Sequence, residues 1–137
     1  MPKVLLNPKN FTPPLGAYSH GVKAEIGDAE IIFVTGQMAI DSKGKPVAPG
    51  NIKKQTEFIF QNIQKILGEA HASLDNVAKA TIFLKNMKDF KEMSAVRDKY
   101  FAKARPASTC VEISDTVKKG CDVVIEVIAV KRKAEFW

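Results

Sequence analysis

The 137 residues are 45% hydrophobic and 26% charged, the balance of a globular chain with one sizeable core and no room for two ordinary domains. A net charge of +6, from 21 basic and 15 acidic residues, leaves nucleic acid or an anionic metabolite open as partner, yet no RRM-type aromatic pair accompanies it. The longest apolar run, "VVIEVIAV", is short and holds Glu126, which excludes a membrane-spanning helix.

In chain order, a proline-rich lead-in precedes "GAYSHGVKAEI" and "AEIIFVTGQMAI", two β-prone stretches around "IGDAE" that predict a hairpin. The turn-rich "DSKGKPVAPGN" ends at Asn51, an N-cap candidate. Ile52, Ile59, Ile63, Ile66, Leu67 and Ala70 then recur at helical spacing. "NVAKATIFLKN" predicts a strand, and Asp89 with Glu92 a capping-box-like start to a second helix whose apolar face is Phe90, Met93, Val96, Tyr100 and Phe101. "STCVEIS" and "CDVVIEVIAV" predict two more strands, for an order ββαβαββ in a single domain over 1–137.

Helices between strands impose crossovers, so an α+β sandwich with one sheet and both helices on one face is expected. The final strand is apolar on both sides: Val123, Ile125 and Val127 alternate with Val124, Ile128 and Val130. Two helices cover one face only, so the other is expected to bury itself against further copies of the chain. Cys110 and Cys121 share no metal-like spacing with His20 and His71; two reduced cysteines and a cytoplasmic location are expected. The start, with Pro2 and Pro8 and no sustained apolar core, does not have the pattern of a secretory signal.

The strings "GAYSHGV", "FVTGQMAID", "IFQNIQKILGEAHASLDNVAKATIFLKNMKDF", "RPASTCVEI" and "IEVIAVKR" occur in the order seen in the RidA family, also called YjgF or L-PSP, and the chain closely resembles that family. The resemblance implies a chorismate-mutase-like protomer and a homotrimer with ligand clefts between subunits. It also implies small 2-imino or 2-oxo acids as ligands and, for many members, hydrolysis of enamines and imines (2-iminobutanoate/2-iminopropanoate deaminase activity). Other members were described as translation inhibitors or endoribonucleases. No metal or organic cofactor is expected, because imine hydrolysis requires only a placed water and proton transfer.

The family's residues carry over with departures. In the string Pro106-Ala107-Ser108-Thr109-Cys110, Ser108 stands where deaminases of the family have an arginine that grips the substrate carboxylate. Arg105 precedes a proline, which favours extended backbone, and its odd offset from 108 then directs it to the other side of the strand. Val124 stands where the family has a glutamate that handles the attacking water, and Glu126 matches a second glutamate. Glu126 and Asp122 share the strand face of Val124; either is a candidate at the cleft, and the plainer expectation for Glu126 is a buried, paired structural carboxylate. Arg97, where relatives have a tyrosine, is expected to form a rim salt bridge or else an anion clamp.

Tyr18, Thr35, Gly36, Gln37 and Cys110 match the family and are the remaining ligand-site candidates, with Tyr18 and Glu126 as catalytic candidates. Nothing near Cys110 favours a thiolate. Without an anchor at 108, weak activity on 2-imino acids is expected. Three readings remain open: an imine hydrolase, a non-catalytic ligand-binding or chaperone-like trimer, and an RNA-binding protein.

Overall fold

In the computed structural model, which describes residues 2–133, six strands form one sheet. They are β1 (Lys3–Leu6), β2 (Gly21–Ile26), β3 (Ala29–Gln37), β4 (Val77–Leu84), β5 (Ala107–Glu112) and β6 (Val123–Arg132), in the spatial order β1-β2-β3-β6-β4-β5. Two helices, α1 (Ile52–Glu69) and α2 (Phe90–Tyr100), supply the crossovers. All neighbouring strands are antiparallel except β4 and β5, which α2 joins in parallel.

The β2–β3 hairpin turns on Gly27 and Asp28, with Gly27 at φ 57°. Glycine at the first central position of a two-residue turn is what strand twist demands there. The Asn51 side chain accepts the Lys54 N–H and caps α1 as expected. Ile59, Phe60, Ile63 and Ile66 of α1 are fully buried, as are Ile32 of β3, Ile82 of β4 and Val123 and Ile125 of β6. Phe60 ties the two helices together: its ring stacks on Tyr100 at 4.8 Å and meets Phe101 edge-on at 5.0 Å.

Three expectations are corrected. Strand β1 was unforeseen; it pairs along β2 from Lys3–Ala24 to Leu6–Gly21. Residues 16–20, expected to open the hairpin, form a loop before β2. Asp89 makes no side-chain cap to α2. Asn86 instead accepts the Lys88 N–H and caps a 3-10 turn, Met87–Asp89, that leads into the helix.

The two faces of the sheet differ. Val123, Ile125, Val127 and Ala129 lie beneath the helices. Val124 is half-buried, while Ile128, Val130 and Phe33 stand open to solvent in the single chain. No described helix is long and apolar enough to cross a membrane.

Candidate functional site

The β3–β6 register breaks between Val34–Val127 and Gln37–Ile125, which throws Thr35 and Gly36 out as a bulge. Val124 lies across from it; a Cβ on Gly36 would stand 2.8 Å from Val124 Cγ1. Glycine here is therefore a matter of space.

Around the bulge, Tyr18, Thr35, Gly36 and Gln37 line a small cavity of about 40 Å³ together with Phe11 and His20. Its polar side chains are largely spoken for. The Thr35 hydroxyl donates to the Ser19 carbonyl at 2.6 Å, so its oxygen is left as an acceptor. The Gln37 amide reaches His20 Nδ1 at 3.3 Å and donates to the Thr35 carbonyl at 3.0 Å. His20 Nε2 lies 2.7 Å from the Thr12 carbonyl. A carbonyl only accepts, so Nε2 carries the proton and Nδ1 receives the Gln37 amide. Asn7, just past β1, accepts the His20 backbone N–H at 2.9 Å. This buried His20 hub, which sets the shape of the Tyr18 loop, was missed in the sequence; no spacing joins Asn7, Thr12, His20 and Gln37. The Tyr18 hydroxyl accepts the Leu15 N–H at 3.0 Å and keeps its own proton for donation.

A second, far larger cleft of about 630 Å³ opens where α2 runs into β5, lined by Arg97, Asp98, Phe101, Arg105, Pro106 and Ser108. Here the expected geometry of Arg105 is corrected. Its backbone is left-handed, at φ 48°, and not extended. Its N–H closes the turn after α2 by donating to the Phe101 carbonyl at 2.9 Å, and the demand of that terminus overrides the preference of a residue before proline. Arg105 thus lines the same cleft as Ser108. Arg97 forms the rim ion pair expected of it, with Nε 3.0 Å from Asp98 Oδ1, and its guanidinium lies 5.7 Å from the centre of the Phe90 ring.

Cys110 packs half-buried against the core. Burial pushes its thiol up, with the Arg97 charge offsetting part of the effect. A nucleophilic thiolate finds no support in that balance. Cys121 is buried, and both cysteines are free.

Glu126 departs from the buried, paired carboxylate expected of it. It is exposed on the open sheet face, opposite Thr81, and makes no ion pair among the described residues. With Phe33, Thr35, Lys79 and Ile128 it lines a third cavity of about 240 Å³. Asp122 precedes β6, where its N–H donates to Gln55 and its carbonyl accepts from Lys85; it lines none of these three cavities. The candidates therefore fall into separate groups on one chain. The described residues contain no cluster of three or more metal-ligating side chains.

Comparison with known proteins agrees with the fold and the motifs. The family model described as Endoribonuclease L-PSP matches residues 9–131. A RutC family protein of Pyrococcus abyssi is 38% identical over 133 residues, covering 97% of this chain and 99% of its own. Protein MMF1, mitochondrial, of Saccharomyces cerevisiae is 37% identical over 123 residues, covering 89% of this chain and 81% of its own. The crystal structure of yeast Mmf1 superposes with a TM-score of 0.85 at 34% identity, covering 96% of this chain and all of that one. A putative endoribonuclease from Thermotoga maritima superposes with a TM-score of 0.82 at 30% identity, over 95% and 98%. The chain belongs to the endoribonuclease L-PSP family, the RidA or YjgF family.

Proposed function

We propose that this protein binds small 2-oxo or 2-imino acids in clefts formed between copies of the chain and hydrolyses the imines to 2-oxo acids and ammonia. The observation that carries the proposal is the division of the site. The cleft at Arg97, Arg105 and Ser108 is roomy and cationic but has no tyrosine or carboxylate for proton transfer beyond the paired Asp98. The cavity at Tyr18 and Thr35 has a free phenolic proton but too little volume for a ligand. Each half supplies what the other lacks, and the open apolar sheet face gives the copies a reason to assemble. We take a homotrimer as the assembly, with the Tyr18 half of one copy facing the Arg105 half of the next.

In such a cleft, water adds to the C=N carbon while the nitrogen takes up a proton. The carbinolamine then expels ammonia and leaves the 2-oxo acid. Tyr18 is suited to donate a proton or hold the water, and Glu126 to accept one. No cofactor enters this balance. Two free, partly or fully buried thiols suit a reducing compartment such as the cytoplasm.

The test generates 2-iminopropanoate or 2-iminobutanoate in situ with an amino-acid oxidase and follows its loss and the ammonia released. Accelerated hydrolysis that falls in Tyr18→Phe supports the reading. Binding of 2-oxobutanoate without hydrolysis would instead favour a non-catalytic ligand-binding protein, the reading that Val124 in the family's glutamate position supports. Salt-dependent RNA affinity with neither activity would favour the RNA-binding reading.

A further inference from the structure

The turn of residues 101–104 that follows α2 ends on Arg105 in left-handed backbone, a conformation that ordinarily calls for glycine. A non-glycine residue in left-handed backbone is strained, because its Cβ crowds its own carbonyl. Arg105 sits there at φ 48°, closing the turn through its N–H to the Phe101 carbonyl. Packing gives no reason for the side chain. It is exposed and makes no ion pair among the described residues. Backbone strain carried by a residue with no structural partner is characteristic of a position held for binding.

Charge within the cleft narrows the ligand. Arg97 is neutralised by Asp98 at 3.0 Å and settled over Phe90. Ser108 brings a hydroxyl and no charge. Arg105 is left as the uncompensated cation among the lining residues. A guanidinium fork matches a carboxylate through two parallel hydrogen bonds, and one free positive charge balances one negative charge.

We propose that Arg105 is the carboxylate anchor of this cleft, taking over the task that position 108 has lost, and that the cleft therefore selects monoanionic 2-oxo or 2-imino acids over dianionic ones. The proposal rests on reading the cleft as the ligand site. It reverses the expectation of weak activity drawn from Ser108 alone, because the anchor has moved three residues along the chain and has not been lost.

The test titrates 2-oxobutanoate and 2-oxoglutarate into the full chain by calorimetry, with circular dichroism to follow the melting temperature. Arg105→Gly suits the backbone and removes the side chain, guanidinium included. Its melting temperature is expected to hold or rise while 2-oxobutanoate binding weakens about ten- to a hundredfold. Arg105→Lys keeps the charge without the fork and is expected in between. The wild type is expected to prefer the monoanion, and Asp98→Asn, which frees Arg97, to move that preference about tenfold toward 2-oxoglutarate. Unchanged binding in Arg105→Gly would overturn the anchor and leave the cleft reading standing. A wild-type preference for the dianion would overturn the charge count. Binding of neither acid by the wild type would sink both the anchor and the proposed function.

Discussion

At Gly36 the missing methyl group has a neighbour waiting for it: Val124 Cγ1, 2.8 Å from where a Cβ would stand. Gly36→Ala is therefore expected to cost about 1–3 kcal/mol through overpacking. Adding Val124→Ala should recover much of that loss, and a thermal-melt double-mutant cycle reads the coupling directly. Additive costs would show that the two residues do not press on each other. The thiols give a second check. Burial raises both, with Arg97 offsetting part of the rise at Cys110 and Lys118 part of it at Cys121. Near pH 8, thiol titration of the native protein should find Cys110 slower than an exposed cysteine and Cys121 silent until denaturation. A fast native thiol would reopen nucleophilic chemistry at Cys110. Residue types at the site were legible in the sequence; their backbone was not. The rule for residues before proline foretold an extended Arg105, but the turn ending α2 sets its φ at 48°.

Helix ends show the same limit one level up. Asn51 announced its role through its position before an apolar periodicity, and it caps α1 through the Lys54 N–H at 3.0 Å. Asn51→Ala should cost about 1 kcal/mol. Asp89 had the same credentials and does no capping, because the chain enters α2 through the 3-10 turn that Asn86 caps. Asp89→Ala should thus be close to neutral and Asn86→Ala costlier, in denaturant titrations. Long periodic elements such as α1 and β6 were readable because many residues repeat one message. Strand β1 was not: it is four residues long with three of them exposed, and only its pairing with β2 makes it a strand. The His20 hub was hidden for a related reason, since its partners meet through tertiary packing alone.

For the whole molecule, charge and exposed apolar surface decide behaviour in solution. Glu30 is buried between Lys131 at 3.1 Å and Lys23 at 3.3 Å. Burial alone would push its carboxyl up, but the two lysines outweigh burial and hold it below the usual carboxylate range. The unfolded chain therefore takes up this proton more readily than the native one. The stabilisation is fully present above about pH 4.3 and is lost as pH falls through the lower native value. Glu30→Gln should flatten the acid side of the stability–pH curve, measured by urea unfolding, and leave its slope near neutrality alone. On the open sheet face, Phe33, Ile128 and Val130 are 46%, 37% and 44% exposed in the single chain, an apolar cluster of the kind that marks an interaction surface. Light scattering should give three times the protomer mass of 15.1 kDa, and Ile128→Asp should shift it toward one. A wild-type monomer at micromolar concentration would remove the basis for a shared cleft.

The spatial order of the strands also bears on how the protein is made. Strand β6 lies between β3 and β4, yet it leaves the ribosome after every other strand. Until it emerges, β1–β3 form a meander with an open inner edge, and β4–β5 form a parallel pair with nothing beside it. Neither fragment can bury α1 on a complete surface, since Val123, Ile125, Val127 and Ala129 supply the middle of that surface. Folding must wait for residues 123–132 and then join segments just over a hundred positions apart, as Ala29 and Arg132 are. Such distant closures slow the search for the native state and expose bare strand edges meanwhile. A nascent chain stalled before residue 123 should remain protease-sensitive and draw chaperones, however well its helices form.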